Sequence, residues 1–82
     1  MEKPDSREFR RIMELKRSLM FSEYAIVADY MDKMAQYWHY SRRLFGKSVS
    51  FRKEEEAKTW AKKYREYANI EINVFMKQLQ VI

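Results

Sequence analysis

Asn69-Ile70-Glu71-Ile72-Asn73-Val74-Phe75-Met76 decides the fold, because two periodicities run through it at once. With period two, Ile70, Ile72 and Val74 alternate with Glu71 and Asn73, and Asn69 ends a preceding helix. With a period near 3.6, Ile72, Phe75, Leu79 and Ile82 continue a stripe begun upstream by Ala57, Trp60, Ala61, Tyr64 and Ala68. The first pattern gives an α+β chain, with a short strand near 70–76 beside another near 47–51, where Ser48-Val49-Ser50-Phe51 also alternates. The second gives a third helix that extends well past residue 68 and a mostly α fold.

Composition favours the helices. A single Gly and a single Pro among 82 residues leave too few turn formers for a many-stranded sandwich or barrel. With 46% hydrophobic residues the chain is too apolar for a disordered segment. The expected architecture is one small three-helix domain over residues 1–82, with helices at about 6–20, 22–45 and 53–68 or longer.

Working back from the deciding stretch, Glu54-Glu55-Glu56 opens the third helix, since carboxylates suit the positive end of a helix dipole. Glu54 and Lys58 add a favourable i,i+4 pair. The second helix is read from a cap at Ser22-Glu23 to a stop at Gly46. Its apolar stripe is Val27 or Ala28, Met31, Met34 or Ala35, Trp38 and Phe45. Asp29, Asp32, Lys33, Gln36, His39 and Arg43 form the opposite face. Tyr37-Trp38-His39-Tyr40 is rich in strand formers and offers a rival, extended reading. The first helix is capped by Asp5 or Ser6 and carries Phe9, Ile12, Met13, Leu19 and Met20 on one stripe.

Several chemistries are excluded by inventory. The absence of Cys removes disulfides and cysteine zinc sites, and no Gly-rich loop is present to cradle phosphates. Asp29, Asp32, Gln36 and His39 share a helix face that could hold a divalent metal, but a solvated polar stripe is the better reading. The Glu54-Glu55-Glu56 run is better explained as helix-start charge than as acid/base machinery. No Ser is matched to His39 by a recognisable nucleophile pattern. No enzyme activity, cofactor, metal or small-molecule substrate is expected. The first eight residues are charged and have no apolar leader region, and the longest apolar run, residues 24–28, is far short of a membrane span. The expected compartment is therefore the cytoplasm, without membrane contact.

One stretch points to a partner. Residues 33–53 contain no Asp or Glu, but include Lys33, Arg42, Arg43, Lys47, Arg52 and Lys53. Tyr37, Trp38, Tyr40, Phe45 and Phe51 are interleaved with them. Cations that displace counterions from phosphates, next to flat rings that stack on bases, are what nucleic-acid binding needs. Lys58, Lys62, Lys63 and Arg65 form a second basic set, and Arg7, Arg10, Arg11 and Arg17 a third, in a chain of net charge +5. The candidate contacts are Arg42, Arg43, Lys47, Arg52, Lys53, Tyr37, Tyr40, Lys58, Lys62, Arg10 and Arg17. Trp38, Phe45 and Trp60 are expected in the core instead, since large rings at helical spacing usually supply buried area.

The leading expectation is a non-enzymatic regulatory protein that binds nucleic acid. The alternative is an inhibitor or adaptor that docks on an acidic surface of a larger protein machine, in the manner of small phage and mobile-element proteins. Thirteen aromatic residues and six Met exceed the needs of a small core and favour an interface of some kind. Ile72, Phe75, Leu79 and Ile82 are the expected self-association residues, forming a homodimer.

Overall fold

A computed structural model describes residues 2–81, leaving aside the side chains of residues 43, 80 and 81. The architecture is mostly α: α1 (Arg7–Met13), α2 (Phe21–Tyr40), a single turn α3 (Arg42–Phe45) and α4 (Lys47–Val81), with no strand among the described residues. The helical reading of residues 70–76 is the correct one, and the strands near 47–51 and 70–76 do not form.

The first helix is capped as its sequence predicts, with the Ser6 hydroxyl accepting the Phe9 N–H at 3.1 Å and Glu8 in the first turn. It stops at Met13, well short of residue 20. The Glu14 N–H closes the helix onto the Arg11 and Ile12 carbonyls, and the chain then turns. Arg17 turns its guanidinium onto Glu23, with both N–O distances 2.8 Å, and Glu23 Oε1 also accepts the Met20 N–H at 2.8 Å. The chain between the two helices is thereby tied to the start of α2. That bend sends α1 back alongside α2, where Phe9 stacks on Tyr30 with ring centroids 3.9 Å apart. Tyr30 also donates its hydroxyl to the Pro4 carbonyl at 3.5 Å. The cap expected at Ser22 sits two residues earlier, at Met20, with Glu23 supplying the reciprocal bond.

The expected second helix breaks once. α2 ends at Tyr40, the buried Ser41 forms the joint, and α3 adds one turn before Gly46. Gly46 is the stop that its sequence position implies, at φ 85° and ψ 150°. Its N–H closes onto the Arg42 carbonyl at 3.0 Å. α4 then starts at once, as Ser50 N–H meets the Gly46 carbonyl at 3.1 Å. It begins six residues earlier than the carboxylate run implied, because Ser50 already lies on the face that packs inward.

α2 and α4 run antiparallel and make the main contact of the fold. Tyr24 lies beside Tyr64 and Tyr67 at one end, and His39 beside Glu54 at the other. Ala28 and Ala35 of α2 and Ala57, Ala61 and Ala68 of α4 are buried. Side chains this small let two helix axes approach toward the lower end of the usual 8–10 Å range. The same smallness limits the core: among the described residues Val27 is the one large apolar side chain fully buried. At 1.5 Å per residue the 35 residues of α4 span about 52 Å, which sets the long dimension of a 56 × 21 × 18 Å particle. α2, with 20 residues, spans about 30 Å and leaves the far end of α4 uncovered. No described helix is long and apolar enough to cross a membrane.

Candidate nucleic-acid interface

The centre of the basic region is a carboxylate. Glu54 is 5% exposed, on the α4 stripe that faces α2. Its oxygens take bonds from His39 Nδ1 at 3.1 Å and Arg42 Nη2 at 3.3 Å, and Lys58 Nζ lies 3.3 Å away. Burial alone would push the Glu54 carboxyl up. Bonds from Lys58, Arg42 and His39 outweigh that effect and hold it below the usual carboxylate range. Arg42 and Lys58, both expected at a partner surface, are therefore part of the junction between α2, α3 and α4. Local sequence pattern reads Glu54 as a helix-start charge. The signal that identifies its true place is its phase, in step with Ala57, Ala61 and Ala68.

The polar face of α2 is solvated as its pattern implies, with Asp29, Lys33, Gln36 and His39 exposed, and some of its groups find partners on α4. Arg65 of α4 reaches Asp29 at 3.3 Å and also bonds Asp32, while His39 of the same face bonds Glu54. The solvated-stripe reading holds, and α4 adds one feature to it: Arg65 lies along that edge and pairs with the acids while remaining exposed itself.

Two more expected contacts are also answered by acids. Arg10 Nε lies 3.4 Å from Asp5 in an exposed pair. Arg17 is held by Glu23, and that bond, with the Met20 N–H, lowers the Glu23 carboxyl to about 2.

The rings divide differently from expectation. Tyr37, expected at the partner surface, is only 8% exposed. It packs against Trp38 at 5.2 Å and Phe45 at 6.3 Å between centroids, bracing the joint at Ser41. Trp38 is half-buried, whereas Phe45 and Trp60, expected in the core, are exposed. Trp60 falls at the margin because the buried stripe of α4 is centred on Ser50, Glu54, Ala57, Ala61 and Ala68. The Lys63 ammonium sits 5.1 Å over the Trp60 ring.

Arg7, Arg11, Lys16, Lys33 and Lys63 are exposed and form no ion pair among the described residues. The same holds for Lys47, Arg52 and Lys53 at the tip of the helical hairpin, and for Lys62 farther along α4. A turn of 100° per residue fans Lys47, Arg52 and Lys53 around the first two turns of α4 instead of aligning them on one face. No acidic residue lies in that first turn, so the cations add to the positive end of the helix dipole. Tyr40 is 69% exposed and Leu44 78%, on the segment that leads into this tip. The Arg43 side chain and Ile82, both expected contacts, lie outside the described residues.

No protein-family model matches the chain, and no curated protein or solved structure matches it.

Proposed function

We propose that this protein is a non-enzymatic binder of nucleic acid that works through the tip formed by Tyr40, Lys47, Arg52 and Lys53, with Lys62 farther along α4. One observation carries the reading: Lys47, Arg52 and Lys53 gather without an acidic partner among the described residues around the acid-free first turns of α4. Other unpaired cations, such as Arg7, Arg11, Lys16 and Lys33, lie on α1, the turn after it and α2. Unanswered cations around a helix end release counterions when they meet phosphates, and the exposed Tyr40 ring at the end of α2 offers a base a stacking surface. Glu55 and Glu56, both exposed, separate the cations of the tip from Lys62. We assign the activity to the cytoplasm and to a regulatory role.

Labelled duplex DNA, single-stranded DNA and RNA, titrated at several salt concentrations, test the reading. Binding that loses orders of magnitude in affinity between ~50 and ~200 mM salt supports it. No binding at the low-salt end rejects it.

A second reading, docking on an acidic surface of a larger protein, is favoured by Leu44 and Phe51, which expose apolar surface among the cations. An apolar anchor ringed by cations suits a protein partner better than phosphate. Affinity for such a partner would depend far less on salt than affinity for nucleic acid.

A further inference from the structure

α4 carries one stripe at positions 57, 61, 64, 68, 72, 75 and 79, spaced by threes and fours as in a coiled-coil seam. Through Ala68 the seam is covered by α2, and Ala57, Ala61 and Ala68 are buried. Beyond it Ile72, Phe75 and Leu79 keep the same phase but are 39%, 50% and 52% exposed. Helix length is the reason. α2 begins at Phe21, whose ring lies 6.5 Å from that of Phe75, and no helix lies alongside α4 past that point.

We infer that a second copy of this chain covers the exposed seam, its α4 lying antiparallel to the first about a two-fold axis near Phe75. Area supports it: Ile72, Phe75, Met76, Leu79, Met20 and Phe21 are each about half exposed. Together they offer roughly 500–600 Å² per copy, on the scale of the about 800 Å² per partner of a stable interface. Charge supports it as well. The chain carries +5, but residues 69–81 hold only Glu71 and Lys77, so two copies meet there without net repulsion. The basic tip lies at the other end of a 56 Å particle, and tail-to-tail pairing keeps the two tips far apart. Identical seams also meet the self-complementarity that a two-fold interface requires. This inference is independent of what the tip binds.

The test combines mass with distance. Light scattering on the full chain at tens of micromolar should give twice the 10.2 kDa of one chain. Because the chain has no Cys, Asn73→Cys and Ser48→Cys each carry a single spin label. Labels at 73 should lie within roughly 30 Å of each other across two adjacent helices, and labels at 48 about 80 Å apart. Phe75→Asp combined with Leu79→Asp should yield a monomer that keeps most of its helix signal, since the α2–α4 contact loses only the Phe21–Phe75 pair at its end. A single-chain mass at high micromolar concentration overturns the inference. So does a dimer with its 48 labels close and its 73 labels distant, or a dimer that survives the double substitution.

Discussion

Arg42 reaches across the joint at Ser41 to Glu54, Nη2 to Oε2 3.3 Å, and so ties the turn after α2 to α4. Glu54 is the one acceptor shared by Arg42, Lys58 and His39, and it is buried while they are partly solvated. Glu54→Gln keeps the shape and removes the charge. It should lower stability by about 1–2 kcal/mol, seen as a lower urea midpoint at unchanged slope. It should also release Arg42 from its acid and leave Lys58 with Glu55 alone, so that affinity for nucleic acid stays level or rises. A stability loss accompanied by a large loss of binding would mean that Glu54 orders the tip itself.

Acid sensitivity follows from the two lowered carboxyls. Glu23 and Glu54 both sit below the ordinary carboxylate value in the folded chain. A group lowered on folding contributes its stability fully above its unfolded value and loses it as pH falls through the folded one. For Glu23 that window runs from 4.5 down to about 2. The melting temperature should therefore fall across this window. Arg17→Met should flatten the part due to Glu23, because the principal bond that lowers its carboxyl is gone. Superimposable profiles for the two proteins would count against the pairing.

For the tip, Lys47→Ala, Arg52→Ala and Lys53→Ala together should weaken nucleic-acid binding and reduce the salt slope by about 0.9 for each phosphate that is no longer neutralised. Melting should move little, since exposed substitutions usually stay within about 0.5 kcal/mol each. Arg10→Ala, whose partner is Asp5, should have a much smaller effect on affinity. Equal losses from the two variants would return the interaction to diffuse net charge.

Gly46→Ala tests the hinge between α3 and α4. Nothing beyond its immediate neighbours lies within 4 Å of an added Cβ, so there is no clash to relieve. The backbone, at φ 85° and ψ 150°, is in a region nearly confined to glycine. The substitution should cost about 1–3 kcal/mol, read by urea or thermal melting. A neutral result would show that the joint relaxes into another conformation at little cost.

Much of this molecule is legible in its residues. The scarcity of Gly and Pro, the Ser6 cap and the Gly46 stop are local features, and each acts within a few residues of itself. The stripe through Ala57, Ala61, Ala68, Ile72, Phe75 and Leu79 is also visible there, but the period-two run at 70–74 leaves a strand open, and the structure decides for the helix. The tertiary structure decided the rest. Glu23 reached back to Arg17 across the turn that follows α1, and Glu54 tied Arg42 and Lys58 into the helix junction while leaving them partly exposed. Tyr37 went inward while Trp60 stayed out, a rotation set by where the neighbouring helix lies. Periodicity tells which residues share a face. It carries no information on how far the opposing helix extends, or which acid across a junction claims a given cation.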